Sequence, residues 1–307
     1  MKNLFLITGG AGFIGSNLAK QLLDNDNDII IIDDLSSGFK KNIPPNKNIT
    51  FINKKIQDLN FNDVPLPNGI FHLAAQASVP LSIDSFNDSS QNNMVSTIMI
   101  FDWAKSNKIP LVYASSSAVY GNLPVGSDIV DKYDILSPYA QDKLSMEHYA
   151  KMMYDVYGMC SIGLRFFNVY GPNQDPKNPY SGVISIFIDR IKDKKTVTIN
   201  GGYQTRDFIY VNDICNVCID SMNKIIDEKE IFNILNVGTG NSITIDELFM
   251  TIKSLIGGDV NIIRKCLPKG DPEKSSGTYD KIQEALGISI DDFIDIEEGL
   301  TKTIESL

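Results

Sequence analysis

The sequence is poor in the residues from which metal sites and disulfide frameworks are built. It has two histidines, His72 and His148, and four cysteines. The histidines are too few and too scattered to indicate a metal site. Cys215 and Cys218 form a C-x-x-C pair at helical spacing among apolar residues, with no second pair nearby, so we expect them in a core. No metal is expected, and the cysteines are expected to be reduced.

Positive charge is also scarce. The 307 residues include 28 lysines and arginines against 38 aspartates and glutamates, a formal net charge of -10. This balance argues against nucleic acid and anionic membranes as partners. No apolar run approaches about 20 residues, and the first residues show no signal-peptide pattern, so a cytoplasmic protein is expected. The length accommodates one large or two modest domains.

A glycine-rich segment follows a short apolar run. Residues 4–7 are typical of a parallel strand buried on both faces, and Gly9, Gly12 and Gly15 come directly after them. The first glycine permits a tight turn, the second lets the backbone approach a pyrophosphate, and the third lets the following helix pack on the strand. That helix is predicted over residues 14–23, and its N-terminal N–H groups suit an anion. A simple turn is the alternative.

An acidic pair ends the second predicted strand. Residues 29–32 are isoleucines, and Asp33 and Asp34 follow them. Asp33 stands at about the spacing at which a carboxylate binds the adenosine ribose and disfavours a 2′-phosphate, so NAD is favoured over NADP. Lys40 and Lys41 weaken this preference slightly, and an aspartate that only caps a turn is the alternative.

A Tyr-x-x-x-Lys motif lies downstream of the serine run 115–117. Tyr139 and Lys143 lie on one face of a helix because they are separated by about one turn. A nearby ammonium favours an ionised phenol, so we expect Lys143 to lower the pKa of Tyr139 and make it a base near neutral pH. The motif alone would be a solvated helix face, but the glycine segment and the serines favour a catalytic site.

Two further segments extend the expected dinucleotide site. Asp58 and Leu59 follow a strand at residues 50–53 and are expected near the adenine, and the strand at residues 71–75 ends in small residues that close over the pyrophosphate. The residues expected to bind the dinucleotide are Gly9, Gly12, Phe13, Ile14, Gly15, Asp33, Asp34, Ser37, Gly38, Asp58, Leu59, Leu73, Ala74, Ala75, Tyr139 and Lys143.

The order of the elements indicates an α/β protein. Strands and helices alternate through about the first 165 residues, which predicts a doubly wound parallel sheet of the Rossmann type. The chain then leaves the sheet, and a strand at residues 234–237 is expected to return to it. We expect a NAD-binding domain over residues 1–167 and 202–240, and a smaller α/β substrate domain over residues 168–201 and 241–307.

Motifs along nearly the whole chain resemble the extended short-chain dehydrogenase/reductases. They read TGGAGFIGS, DDLSSG, HLAAQASV, SSSAVYG, SPYAQDK, RFFNVYGP and TRDFIYV. Within that family the chain is most similar to nucleotide-sugar epimerases, and UDP-hexose 4-epimerases fit best. The resemblance implies an isomerase that oxidises hexose C4 transiently, with NAD retained as a prosthetic group. The implied substrates are UDP-glucose and UDP-galactose, together with UDP-GlcNAc and UDP-GalNAc.

The resemblance also implies catalytic roles. The family's catalytic hydroxyl precedes the tyrosine of its V-Y-G element in a way that maps onto Ser116. Ser116 is expected to polarise the sugar 4-hydroxyl, Tyr139 to take its proton, and Lys143 to hydrogen-bond the nicotinamide ribose as well. Ser115 and Ser117 assist or are only small neighbours.

Other activities fit less well. Related 4,6-dehydratases carry an Asp-Glu pair after the catalytic hydroxyl, where this chain has Ser117 and Ala118, so dehydration is not expected. The alternatives are another nucleotide-sugar epimerase, a UDP-uronate epimerase or decarboxylase, or a non-enzymatic NAD-sensing module on the same scaffold.

The resemblance assigns a UDP-sugar site to another set of residues. Arg206 is expected to bind the UDP diphosphate, with an ion pair to Asp207 as the alternative, and Asn168 is expected to bind the diphosphate or the sugar. The expected substrate-binding residues are Ser116, Ser117, Asn168, Arg206, Asp271 and Ser275.

The chain departs from the family near residue 268. Where the family presents Arg-x-Gly-Asp, this chain has Pro268 before Lys269, so Lys269 or Lys265 is the candidate replacement cation. Ser275 occupies the position where a tyrosine limits the sugar's 2-substituent in glucose-restricted members, so room for an N-acetyl group is expected. A turn with Ser276 is the alternative.

A homodimer is implied as well. Family members commonly pair through helices that include the one bearing Tyr139. Apolar residues continue that helix at three- and four-residue spacing, namely Met146, Tyr149, Ala150, Met153 and Tyr157. Packing within one subunit is the competing explanation.

Overall fold

The computed structural model describes residues 2–177, 182–268 and 271–307 and divides the chain into two compact units. The first comprises residues Met1–Ser116, Ser137–Arg165 and Cys215–Leu235, and the second comprises Ser117–Leu136, Phe166–Ile214 and Asn236–Leu307. No helix in the described ranges is long and apolar enough to cross a bilayer.

The chain contains both helices and strands along its length. The strands are β1 (Leu4–Thr8), β2 (Asp28–Ile32), β3 (Ile49–Ile52), β4 (Gly69–His72), β5 (Leu111–Ser116), β6 (Ser161–Phe166), β7 (Asn168–Tyr170), β8 (Val197–Asn200), β9 (Thr205–Tyr210), β10 (Phe232–Val237), β11 (Ser242–Thr244) and β12 (Ile262–Lys265). The α-helices are α1 (Phe13–Asp24), α2 (Val79–Asp84), α3 (Phe86–Ser90), α4 (Ser96–Asn107), α5 (Pro138–Tyr157), α6 (Val183–Lys192), α7 (Val211–Glu228), α8 (Ile245–Ile256), α9 (Asp280–Leu286) and α10 (Ile296–Ser306).

The largest sheet has seven strands in the order β10-β6-β5-β4-β1-β2-β3. β1 pairs in parallel with β2 and β4, β2 with β3, and β4 with β5. The isoleucines of β2 and the apolar run of β1 are buried because helices cover both faces of such a sheet. The strand order reverses at β1, which is the switch point where α/β sheets bind ligands. The predicted doubly wound fold is confirmed.

The second unit has its own sheets and core. β9 pairs antiparallel with β11 and parallel with β7, and β12 pairs in parallel with β8. The core includes Phe187 of α6, Phe249 of α8 and Leu300 of α10, with the two phenylalanine rings packed edge to face.

The two units differ in their bounds from the predicted domains. Residues 117–136, 166–167, 202–214 and 236–240 belong to the second unit, although the sequence analysis placed all of them in the dinucleotide-binding domain. The reason is pairing: β9 joins the small sheet, and the loop around Gly126 forms a bridge with Gly277. The ligand assigned to each domain stays a prediction.

A buried ion pair fixes α5 in the first unit. Arg165 of β6 donates from Nε to Glu147 Oε1 at 2.8 Å and from Nη2 to Oε2 at 2.6 Å. Ser115 of β5 donates to the same Oε1 at 2.5 Å. Glu147 and Arg165 are only 1% and 2% exposed. Glu147 therefore joins α5 to β6 through the bidentate pair and to β5 through Ser115, in a place where water cannot replace these hydrogen bonds.

We predict that Glu147→Gln lowers the free energy of unfolding by about 3 kcal/mol or more, because Arg165 is left as an uncompensated buried charge. Urea unfolding followed by circular dichroism measures this. Asp155→Asn, which removes a carboxylate from an exposed pair on the same helix, is the matched control and should leave the midpoint nearly unchanged. Equal shifts for both variants would contradict the assignment.

Candidate active site

The glycine segment forms the turn between β1 and α1. Gly9 has φ +73°, and a Cβ there would lie 2.8 Å from the Ala74 nitrogen. A Cβ at Gly15 would overlap the Gly9 carbonyl oxygen. Gly12 is the N-cap of α1, whose first residues are Phe13 and Ile14. The predicted tight turn at Gly9 and close packing at Gly15 match this geometry, whereas the approach of Gly12 to a pyrophosphate stays a prediction.

Asp33 holds this turn from the end of β2. Its Oδ2 accepts the Ala11 N–H at 2.9 Å, and its Oδ1 accepts the Leu35 N–H at 2.8 Å. Burial raises the pKa of the Asp33 carboxyl, although both backbone hydrogen bonds oppose the shift. Asp33 therefore caps the following turn, as the alternative reading expected. Each carboxylate oxygen also retains acceptor capacity, so ribose binding stays a prediction.

The loop after Asp33 packs against the glycine turn. Asp34 accepts the Ser36 N–H at 2.9 Å, while Ser37 is exposed. A Cβ at Gly38 would lie 2.8 Å from the Ala11 carbonyl carbon, so this position also requires glycine.

The remaining predicted cofactor residues follow two other strands. Asp58 is exposed at the end of a 3₁₀ turn, and Leu59 is partly buried. The strand predicted over residues 71–75 is shorter than expected: β4 ends at His72. The N–H groups of Leu73 and Ala74 instead donate to Thr8 Oγ1 at 3.2 and 3.1 Å.

His72 supports this arrangement from the core. Its Nδ1 lies 2.8 Å from Thr8 Oγ1 and its Nε2 lies 3.1 Å from Thr97 Oγ1. Burial lowers the pKa of His72 to about 3, and the Lys143 charge adds to this effect. The ring is neutral at physiological pH and holds the end of β1 beside the end of β4.

The structure brings Ser116, Tyr139 and Lys143 together in the first unit. Ser116 ends β5, and its side chain is hydrogen-bonded to that of Tyr139 near the start of α5. Lys143 Nζ donates to the Ala114 carbonyl at 2.7 Å and lies 5.7 Å from the Tyr139 ring centroid. Tyr139 and Lys143 are buried.

The first turn of α5 is anchored where this site requires it. Ser137 is the N-cap and accepts the Ala140 N–H at 3.2 Å, and Pro138 takes a position at which no N–H is needed. The Tyr139 N–H donates to Ser82 Oγ of α2 at 3.2 Å. Tyr139 therefore cannot move without breaking buried backbone hydrogen bonds.

Burial dominates the electrostatics of the pair. It lowers the pKa of Lys143 to about 8, against the opposing charges of Asp142 and Glu147. Burial also raises the pKa of Tyr139, the hydrogen bond from Ser116 opposes this, and Asp142 adds to it. The expectation of a lowered Tyr139 pKa is therefore wrong, because desolvation raises this pKa and the Lys143 ammonium donates to the Ala114 carbonyl instead.

Arg206 and Asp271, two predicted substrate residues, form an ion pair in the second unit. The predicted alternative, a pair of Arg206 with Asp207, is wrong. Asp207 instead accepts the Thr239 and Gly240 N–H groups at 2.9 Å. Arg206 is 7% exposed and also donates to the backbone at 2.7 Å.

The other predicted substrate residues have less defined surroundings. Asn168 begins β7 and is partly exposed, and Ser117 begins a 3₁₀ turn in the second unit. Ser275 is partly exposed, and its carbonyl accepts from Ser242 Oγ at 3.0 Å. Lys265 is exposed in β12, and Lys269 lies outside the described residues.

The sequence reasoning missed Asp142 as part of this site. Asp142 stands between Tyr139 and Lys143 in the sequence motif. Its carboxylate is buried, and its charge influences the pKa of both residues. An acidic residue inside the Tyr-x-x-x-Lys motif was the available signal.

Comparison with known proteins bears on this site. The profile of the NAD dependent epimerase/dehydratase family matches residues 5–238. A UDP-N-acetylglucosamine 4-epimerase from Methanobrevibacter ruminantium, solved with UDP-N-acetylmuramic acid, is 35% identical, with a TM-score of 0.92 over 100% of this chain and 98% of that one. A UDP-glucose 4-epimerase from Thermotoga maritima, solved with UDP-glucose, is 33% identical, with a TM-score of 0.91 over 99% and 98% of the two chains. A UDP-glucose 4-epimerase from Mycolicibacterium smegmatis is 31% identical over 98% of this chain and 97% of its own length.

Proposed function

Because the chain belongs to the NAD dependent epimerase/dehydratase family, we propose that it interconverts UDP-hexoses at C4 with tightly bound NAD. The observation that carries the proposal is the grouping of Ser116 with the buried Tyr139 and Lys143, in which Ser116 is hydrogen-bonded to the phenol. The relatives solved with UDP-sugars support the substrate class.

The residues at the switch point fit a dinucleotide. The glycine turn leaves no room for side chains at Gly9 and Gly15, and the N-terminus of α1 offers backbone donors to a pyrophosphate. Asp33 would hold the adenosine ribose, and Lys143 would hold the nicotinamide ribose. Bound NAD supplies a hydride acceptor that is regenerated in a cycle without net redox change.

The three catalytic residues divide the proton transfer among them. Ser116 donates a hydrogen bond to the hexose 4-hydroxyl and aligns it with Tyr139. The Tyr139 oxygen takes the hydroxyl proton and later returns it to the sugar. Burial disfavours the phenolate, so the positive charges around the bound substrate, including Lys143, have to stabilise it.

Epimerisation fits these residues better than dehydration. Ser117 and Ala118 follow the catalytic serine and have no group that titrates near neutral pH. Elimination of water would need an acid and a base at those positions.

The substrate diphosphate is assigned to Arg206. Asp271 fixes one side of its guanidinium, and the remaining N–H groups of the planar fork suit phosphate oxygens. The small side chain of Ser275 leaves space beside hexose C2, so the proposed substrates include UDP-GlcNAc and UDP-GalNAc as well as UDP-glucose and UDP-galactose.

The proposed homodimer uses the outer face of α5. The predicted stripe is partly wrong, because Met146 and Ala150 belong to the core of the first unit and Met153 packs against it. The exposed apolar residues of the helix are Tyr149, Met152, Val156 and Tyr157. Val95, directly before α4, and Ile98, in the first turn of α4, are exposed as well.

We predict that Tyr139→Phe reduces turnover of UDP-galactose by about 100-fold or more, because the proton acceptor is lost while the ring still packs. Ser116→Ala should reduce turnover more than Ser117→Ala does. Nucleotide released on denaturation should be NAD(H) in every variant, which serves as the control for an intact fold. A larger loss in Ser117→Ala would contradict the Ser116 assignment, and recovery of NADP would contradict that of Asp33.

We predict that the wild-type protein converts UDP-GlcNAc to UDP-GalNAc and that Ser275→Tyr abolishes this conversion by steric exclusion. Conversion of UDP-galactose should remain, because its 2-hydroxyl is smaller. Chromatography of the products measures both reactions. Lys274→Tyr adds the same ring at the neighbouring exposed position and is the matched control. A wild-type protein that epimerises UDP-galactose but not the N-acetyl sugars would refute the gate.

We predict that light scattering at micromolar concentration gives the mass of a dimer and that Val156→Asp gives a monomer, because a buried interface charge lacks a partner. Met250→Asp introduces the same charge on the second unit and should leave the dimer intact. Val156 and Met250 are each 62% exposed, so both variants should fold. A wild-type monomer would exclude the proposed interface.

A further inference from the structure

Asp142 occupies an unusual position within the catalytic helix. It lies directly before Lys143, it is only 5% exposed, and none of the roles assigned above uses it. Ser90 Oγ of α3 donates to its two carboxylate oxygens at 2.9 and 3.1 Å. Asn93 Nδ2 donates to Oδ2 at 3.2 Å. Both partners are neutral, so the hydrogen bonds stabilise the carboxylate without cancelling its charge.

Asn93 links Asp142 to the segment after β4. Its Oδ1 accepts the Gln76 N–H at 2.8 Å, and its Nδ2 also donates to the Gln76 carbonyl at 3.2 Å. Ser89 Oγ donates to Gln76 Oε1 at 2.8 Å. Gln76 directly follows the residues assigned to the pyrophosphate. The hydrogen bonds therefore run continuously from that segment to the catalytic helix.

The backbone around Asn93 is specialised for this link. Residues Gln91–Val95 form a π-helical turn immediately before α4. A π turn changes the direction of the side chains that follow, and such turns are frequent at functional sites. Asn93 is 1% exposed, so leaving any polar atom of its buried amide without a hydrogen bond would be energetically costly.

The charges around Lys143 single out Asp142. The titratable groups that act on this ammonium are Asp142 and Glu147 on its own helix, with neutral His72 on β4 beside it. Arg165 already neutralises Glu147 through two hydrogen bonds. Within the described residues, the donors to Asp142 are the neutral side chains of Ser90 and Asn93, so its negative charge acts on Lys143 without an ion pair to another cation.

We propose that Asp142 is a positioning residue that ties the catalytic helix to the segment after β4 through Asn93 and places a buried negative charge one residue before Lys143. The inference deepens the proposed function, on which its catalytic consequence rests. The link through Asn93 and the charge beside Lys143 can be tested on the protein without substrate.

The sign of the expected effect follows from the charges. Asp142→Asn keeps the size of the side chain and removes its charge. Lys143 should then lose its proton at a pH below the wild-type value of about 8, and the shift should be roughly one pH unit. The pKa of Tyr139, which Asp142 raises, should fall as well. Both limbs of the pH–rate profile should therefore move to lower pH.

The first test needs no substrate. Lysines labelled with ¹³C at Cε are titrated by NMR, and Lys143 is the resonance that disappears in Lys143→Met. It should titrate near pH 8 in the wild type, about one unit lower in Asp142→Asn, and unchanged in Asp155→Asn, which removes an exposed carboxylate from the same helix. An unchanged Lys143 titration in Asp142→Asn overturns the role of this buried charge.

The second test addresses the link to Gln76. Asp142→Ser removes the carboxylate that accepts from Asn93, so hydrogen exchange at the Gln76 N–H should accelerate by about tenfold as the amide of Asn93 loosens. Asp155→Ser is the control and should not change this rate. Unchanged exchange in Asp142→Ser overturns the positioning role.

The pH–rate profile for the UDP-sugar reaction separates this inference from the proposed function. A shifted profile in Asp142→Asn supports both. An active variant with an unshifted profile overturns the inference alone. A wild-type protein that turns over no UDP-sugar, yet shows the Lys143 shift, refutes the proposed function and leaves the role of Asp142 standing.

Discussion

The buried contact between α5 and the strands beside it is the constraint on which the candidate site depends. Glu147 bonds Arg165 of β6 and Ser115 of β5, which sets the rotation of the helix. Lys143 lies one turn earlier on the same helix, so that rotation brings its ammonium to the Ala114 carbonyl. Because breaking a buried ion pair costs several kcal/mol, the side chains of the candidate site on α5 are held as rigidly as the core.

The same burial that fixes the site works against its chemistry. Desolvation favours neutral lysine and neutral tyrosine, whereas the proposed proton abstraction requires a charged ammonium and a phenolate. Neighbouring groups have to offset that cost. Asp142 favours the ammonium and disfavours the phenolate, and Ser116 favours the phenolate through its hydrogen bond.

Local patterns were enough to predict the parallel sheet and the position of the glycine turn. The isoleucines of β2 and the spacing of Gly9 and Gly15 are constraints that act within a few residues, so sequence alone carries them. The direction of the Tyr139 pKa was not predictable, since it depends on how deeply the fold buries the phenol. The role of Met146 was misjudged for a related reason, because periodicity marks an apolar face without telling a core from an interface.

The link through Asn93 lay further from prediction. It depends on a π-helical turn, and neither the spacing of hydrophobic residues nor a capping residue predicts such a turn. Its partners, Gln76 and Asp142, are distant in sequence and become neighbours only when the sheet and α5 have formed. From sequence alone, a polar residue in such a position would be predicted to lie on the surface.

The acidic composition also explains how the chain is organised to bind anions. With a net charge of -10 the protein repels nucleotides at long range, so binding has to come from short-range groups. At the glycine turn these groups are backbone N–H donors, which carry no net charge that a neighbouring carboxylate could cancel. In the second unit Arg206 is buried against Asp271, which keeps the guanidinium oriented at the cost of part of its charge. In the proposed diphosphate site a phosphate would have to match the remaining donors of this fixed fork, so selectivity would come from geometry.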